Sequence, residues 1–222
     1  DLQPVFSFKL RGAYNRISQL PKSQLERGVI TASAGNHAQG VALSGQKLGI
    51  RAIIVMPKTT PDIKVQAVKR LGGEVVLHGD SFDVANKYAI ARAAEDGMTF
   101  IPPYDDELVM AGQGTIGNEI LRQWRDVEYV FVAVGGGGLI AGVAAYLGDV
   151  APHVKVIPVE YDESACLKAA FEANERVILP SVGLFADGTA VAQIGEKPFE
   201  VIQLQKSDNS GPIVEREVIL VN

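Results

Sequence analysis

A lysine amine, an amide within a run of small residues, and four successive glycines are the groups of this chain that could do chemistry together. Lys9 stands in Phe6-Ser7-Phe8-Lys9-Leu10-Arg11-Gly12. Alone it reads as a surface lysine at a helix start. An amine on a flexible stem also forms a Schiff base with an aldehyde cofactor, and burial lowers its pKa enough to make it a usable base. Ser33-Ala34-Gly35-Asn36-His37 follows a β-branched run and opens a helix pattern. Its plain reading is a helix capped by Ser33 or Asn36. Its chemical reading is a loop of N–H donors with one amide, able to hold a carboxylate and a phenolic oxygen. His37 alone is more often structural than catalytic. No second His or Cys stands at metal-ligand spacing, so no metal site is expected. Gly135-Gly136-Gly137-Gly138-Leu139 lies between a strand pattern and a helix pattern. Glycine lets the backbone approach an anion, and the N–H groups of the helix start then point at it, so a phosphate is the natural guest. The plain alternative is a tight turn with no ligand.

A rival pattern overlaps the glycine run. Gly136-Gly137-Gly138-Leu139-Ile140-Ala141 satisfies G-x-G-x-x-A, and Glu160 ends the next strand about twenty residues on, as a dinucleotide fingerprint asks. That would make the chain a nicotinamide dehydrogenase, and it would leave the Lys9 and Asn36 segments without a purpose.

The elements that must position these groups alternate. Short β-branched runs are predicted as strands at Val29–Ala32, Ala52–Met56, Glu74–Leu77 and Thr99–Ile101. Helix patterns run from Ala38 to Leu48, Asp62 to Leu71 and Phe82 to Glu95, with proline or glycine at their boundaries. A second series follows. It has a helix over Glu107–Trp124, a continuous apolar run Tyr129–Val134 read as a strand buried on both faces, and a helix over Leu139–Leu147. A strand over Val154–Val159 and a helix over Ser164–Ala173 complete it. Such alternation implies α/β architecture with parallel sheets and flanking helices. Ligands in such folds bind where the carboxyl ends of strands meet helix starts, and both glycine-containing motifs fall at such points. Pro102-Pro103-Tyr104-Asp105-Asp106 reads as a seam between two lobes.

Composition excludes some classes. The 222 residues are 47 % hydrophobic and 21 % charged with a net charge of -5, an ordinary globular balance that gives no reason to expect nucleic acid. No apolar run is long enough to span a bilayer, so no membrane partner is expected. Cys166 is the only cysteine, which fits a reducing, cytoplasmic location. It reads as a buried helix residue.

The Ser-Phe-Lys, Ser-Ala-Gly-Asn-His and four-glycine segments together resemble the fold-type II pyridoxal-phosphate enzymes, and among them the biosynthetic threonine dehydratases. The likeness runs from about Pro4 to Gln203 and includes Val182-Gly183-Leu184-Phe185-Ala186-Asp187-Gly188-Thr189-Ala190-Val191. It implies two open, parallel, twisted sheets with flanking helices, tryptophan synthase β-like and incomplete at both ends. A small lobe would cover 28–105, and a large cofactor-binding lobe 1–27 with 106–205. An atypical tail would follow at 206–222, with no regulatory domain. It implies pyridoxal 5'-phosphate on Lys9, with Phe8 near its ring and Asn36 on its phenolic oxygen. Gly135, Gly136, Gly137, Gly138 and Leu139 would cradle the phosphate, and Gly188 would lie close by. Ser33, Ala34, Gly35, Asn36 and His37 would frame the carboxylate of an amino-acid substrate. The implied reaction is deamination of L-threonine to 2-oxobutanoate and ammonia, the first step of isoleucine biosynthesis, with L-serine as a second substrate. The alternatives are a catalytically incomplete cofactor-binding or partner fragment, and a serine racemase-like or serine dehydratase-like enzyme. The family's habit implies a homo-oligomer, a dimer or tetramer, of the full-length protein. The family's serine opposite the pyridine nitrogen has no counterpart; Ser210-Gly211-Pro212 is the nearest string. Serine racemase relatives hold a divalent ion on acids after the glycine run. Here Ser164 and Cys166 follow Glu160, so that site is not expected.

Overall fold

The computed structural model describes residues 3–183, 185–204 and 214–222. Leu184 and the polar stretch from Lys206 to Pro212 lie outside the described residues. The chain divides into two compact units, Asp1–Pro103 and Tyr104–Asn222.

In the first unit, strands β1 (Val29–Ala32), β2 (Ala52–Met56), β3 (Glu74–Leu77) and β4 (Thr99–Phe100) form one sheet in the order β3-β2-β1-β4. Every pairing is parallel, with Val29 opposite Ala52 and Thr99, and Ile53 opposite Glu74. Parallel strands need crossovers, and helices supply them. These are α3 (Asn36–Leu48), α4 (Asp62–Arg70) and α5 (Phe82–Asp96), preceded by α1 (Lys9–Ser18) and the single turn α2 (Lys22–Leu25). All residues of β1 and β2 are buried because both faces of the sheet are covered. Val29 and Ile54 meet Ala13, Val41 and Val68 from α1, α3 and α4 on one face. Ile30, Ile53 and Val55 meet Ala85, Ala89 and Ala93 of α5 on the other. Each fully buried isoleucine here contributes roughly 1.5–3 kcal/mol of transfer free energy. Residues 1–27, read from sequence with the large lobe, contribute α1, which packs on α3.

In the second unit, β5 (Tyr129–Ala133), β6 (Lys155–Tyr161) and β7 (Ile219–Val221) form a parallel sheet in that order. Its helices are α6 (Glu107–Gln123), α7 (Gly138–Val150), α8 (Cys166–Ala173) and α9 (Glu196–Leu204). Val130, Val132 and Val156 point into a core with Ile140, Leu147, Leu167 and Ile202. The two long helices α6 and α7 touch backbone to backbone: a Cβ added to Gly142 would overlap the Met110 carbonyl oxygen.

Three expectations need correction, and one further segment gains an element. The run Tyr129–Val134 is not buried on both faces: β5 alternates, with Tyr129 57 % and Phe131 61 % exposed. An apolar sequence says that a face can be covered, not that it is. The apolar Val218–Val221 end, given no element from sequence, supplies β7. The helix predicted from Ser164 starts at Cys166, after a tight turn at Asp162–Ser164. The cap expected from Ser33 or Asn36 is absent, because the N-cap of α3 is Gly35 and no side chain bonds there.

Candidate active site

In the first unit, α1 begins at Lys9, so its amine projects from a helix start. Gly40 brings this turn against α3. A Cβ there would stand 3.1 Å from Leu10 N and 3.2 Å from the carbonyl carbon of Lys9, closer than most real Cβ contacts. The Lys9 Nζ donates to the Pro103 carbonyl at 2.7 Å and lies 5.5 Å from the centre of the Phe8 ring. Burial pulls its pKa from 10.5 to about 8. Water stabilises an ammonium better than protein does, so enclosure favours the neutral amine.

The loop after β1 is arranged by its own backbone. Ser33 N–H donates to Val55 O, and the Ser33 hydroxyl accepts the Gly35 N–H at 3.2 Å. Gln39 N–H is the donor that closes on the Gly35 carbonyl, so the N–H groups of Asn36, His37 and Ala38 precede the helical ladder. Asn36 is exposed at this end, while Ser33, Ala34 and Gly35 are half-buried. His37 turns inward. It is 3 % exposed, and its Nε2 is 3.0 Å from Ile101 O, which also accepts the Thr31 hydroxyl at 2.7 Å. The Nε2 must therefore carry the proton. Nδ1 is buried and has no hydrogen-bond partner among the described residues. Burial first, then the charge of Lys9, push the His37 pKa down to about 3. His37 is thus a neutral core residue, and its backbone N–H precedes the helical ladder.

In the second unit, the glycine run joins β5 to α7. Gly137 is the N-cap of α7 at φ +87°, a backbone that side chains rarely adopt, and no side chain caps the helix. The N–H groups of Gly138, Leu139 and Ile140 precede the first ladder bond, from Ala141 N to Gly137 O. A first turn with no side-chain cap at the positive end of a helix dipole fits a phosphate. Gly188 is exposed, with nothing within 4 Å of where its Cβ would be.

Glu160 does not serve a dinucleotide. It is 1 % exposed and accepts the Leu167 and Lys168 N–H groups at 2.8 and 2.9 Å, capping α8 from the side. Burial raises its pKa against the pull of these donors. The neighbouring Cys166 is fully buried, its Sγ 3.4 Å from Gly135 O, and burial pushes its thiol up to about 12. Two residues escaped the sequence reading. Pro103 acts through a backbone carbonyl, which no side chain announces. Tyr104 packs against the glycine run, more than thirty residues ahead of it in sequence.

The first unit thus holds a buried lysine amine with its pKa lowered to about 8, and the second holds a helix start that fits a phosphate; a pyridoxal-phosphate enzyme uses both kinds of feature. The pyridoxal-phosphate dependent enzyme family matches residues 1–217, and the chain belongs to it. Within that family its similarity is to threonine dehydratases. It is 60 % identical over 201 residues to the threonine dehydratase of Nicotiana attenuata, covering 90 % of this chain and 33 % of that protein. The processed form of threonine deaminase isoform 2 from Solanum lycopersicum superposes with a TM-score of 0.93 at 52 % identity. That match covers all of this chain and 58 % of the solved one. Maize serine racemase superposes at 0.90 with 32 % identity, covering 99 % of this chain and 64 % of its own. The chain thus spans about a third of its curated plant relative. Some plant relatives are named chloroplastic. Among the described residues no helix is long and apolar enough to cross a membrane.

Proposed function

We propose that this chain carries the cofactor site of an ammonia-lyase that converts L-threonine to 2-oxobutanoate and ammonia, with L-serine as a second substrate. The observation that carries the reading is the enclosed Lys9 amine held 2.7 Å from Pro103 O, joined to 60 % identity with a threonine dehydratase. The 32 % identity to a serine racemase weighs less.

In this reading Lys9 would attach the cofactor through Nζ. The N–H groups of Gly135 to Leu139 would hold its phosphate, the Asn36 amide would meet its phenolic oxygen, and Phe8 and Gly188 would lie beside it. Pyridoxal phosphate, when bound, supplies an electron sink for the charge left when the α-proton departs. The chain's own residues do the rest. Ser33, Ala34, Gly35, Asn36 and His37 frame the substrate carboxylate, with the N–H groups of Asn36 and His37, which precede the helical ladder, as its donors. Nζ of Lys9, as a neutral amine, would accept the α-proton. With a pKa of about 8, about one amine in ten is neutral at pH 7, against roughly three in ten thousand at 10.5. Pro103 O fixes where that amine waits. His37, kept neutral, adds no second positive charge beside it.

We further read the functional assembly as a homo-oligomer, a dimer or tetramer, on the family's habit. The cytoplasmic location rests on a single reduced thiol, Cys166.

The test is spectroscopic and chemical. Titration with pyridoxal phosphate should give a new visible absorbance band. Borohydride should fix the cofactor on the peptide holding Lys9, and Lys9→Ala should abolish both. Oxo-acid release from threonine should exceed release from serine. A chain that gives no band at saturating cofactor refutes the site. One that binds cofactor but releases nothing from either amino acid refutes the reaction and favours a partner fragment.

A further inference from the structure

We infer that Tyr104 is a positioning residue for the phosphate-holding glycine run: its ring, not the ligand, is what requires glycine at Gly136. This rests on the reading that the run holds the cofactor's phosphate.

The ring lies against the run on several sides. A Cβ built on Gly136 would fall among Cδ1, Cε1 and Cγ of Tyr104, inside the 3.0 Å that real Cβ atoms respect. One on Gly138 would stand 2.8 Å from Tyr104 Cβ and 3.0 Å from its Cα. On the other edge of the ring, a Cβ on Gly195 would stand 3.0 Å from Cδ2. Gly195 N–H donates to Gly136 O at 3.1 Å, so the two strips of backbone that sandwich the ring are tied together. The φ of Gly136 lies outside the left-handed region, so its backbone is open to alanine, and the ring is the obstacle that a side chain there would meet.

The next two residues hold the ring in place. The Asp105 carboxylate accepts the Glu196 and Lys197 N–H groups at 3.0 and 2.9 Å, at the start of α9. Asp106 Oδ1 accepts the Leu108 and Val109 N–H groups at 2.9 and 3.0 Å, at the start of α6. Three consecutive side chains thus fix two helix starts and one loop. The backbone of Tyr104 is anchored on its C-terminal side, and the ring cannot leave without opening a void beside the run. Packing interiors tolerate such voids poorly.

The test separates the phosphate from the rest of the cofactor. Dissociation constants are measured for pyridoxal phosphate and for pyridoxal, which has the same aldehyde and ring but no phosphate. Their ratio reports what the run contributes. Thermal midpoints are recorded alongside. Tyr104→Phe keeps the ring and should keep the ratio. Tyr104→Ala should lower the ratio about tenfold or more, the effect of weakening one hydrogen bond to a charged group, while pyridoxal binding stays unchanged. Gly136→Ala should do the same. The double variant should lose no more than Tyr104→Ala alone, because the added methyl then enters the space the ring has vacated. Where Tyr104→Ala melts below the assay temperature, Tyr104→Leu replaces it, keeping apolar bulk without the flat ring. Losses that add in the double variant would show that Gly136 is glycine for the ligand's sake and would overturn the inference. So would a full ratio in Tyr104→Ala. A wild-type chain that binds both compounds equally would overturn the phosphate reading itself, and the inference with it.

Discussion

Lys9 should make the cofactor-free chain less stable at neutral pH than at alkaline pH, and by an amount that can be worked out. In the unfolded chain its amine has the ordinary value of 10.5; in the folded chain burial holds it at about 8. Between those values the unfolded chain binds more protons than the folded one. Folding stability therefore rises with pH across that window, and below about pH 8 the full penalty applies. The gap corresponds to roughly 3 kcal/mol. Lys9→Met keeps a stem of similar bulk and removes the titration. The difference in unfolding free energy between variant and wild type should therefore fall by roughly 3 kcal/mol in the wild type's favour between about pH 7 and pH 10.5. Other groups titrate there too, but they are common to both proteins and cancel. Urea denaturation followed by far-ultraviolet circular dichroism, at several pH values without cofactor, measures it. A difference that stays flat with pH would mean that the amine is solvated in the folded chain. The account of Lys9 as a ready base would then fall.

Three further outcomes follow from the same geometry. His37 is held near 3 against an ordinary 6.5, so its contribution to stability is complete above about pH 6.5 and is lost as pH falls toward 3. His37→Gln, with an amide N–H for Ile101 O, should flatten that part of the acid-denaturation profile; an unchanged profile would assign the loss to other groups. Gly142→Ala drives a methyl into the Met110 carbonyl and should destabilise the α6–α7 pair by about 1–3 kcal/mol, read from the urea midpoint. Asp106→Ala removes the cap of α6 and should cost about 1 kcal/mol, while Asp106→Asn or Asp106→Ser should recover most of it.

The strands of the first unit were legible because punctuation brackets them. Val29–Ala32 follows Gly28, Ala52–Met56 stops at Pro57, and Glu74–Leu77 follows Gly72-Gly73. Proline and glycine end elements for local steric reasons, so a local reading finds them. The points where strand ends meet helix starts were legible on the same ground, which is why the segments at Ser33–His37 and Gly135–Leu139 stood out. What could not be read depends on partners distant in sequence. The exposed side chains of β5 look like core residues until the uncovered face is seen. Neither Ser33 nor Asn36 caps α3, although both are good capping types, because the chain enters through Gly35 and Ser33 spends its hydroxyl on the Gly35 N–H.

Glu160 shows why a motif needs its context. The spacing of an acid about twenty residues after G-x-G-x-x-A is a statement about where the next parallel strand ends, and any βαβ unit of that length puts some residue there. What the residue does is decided by its neighbours in space. Here α8 starts beside it, and two backbone N–H groups take both carboxylate oxygens. A ribose hydroxyl would have to displace them and leave buried donors unpaired, each at a cost of about 1–3 kcal/mol. The same reasoning bears on the glycines. Gly137 is glycine for its φ, Gly142 for a helix crossing and Gly136 for a tyrosine ring. A glycine-rich sequence alone cannot divide these causes, and only the atom that a Cβ would meet tells them apart.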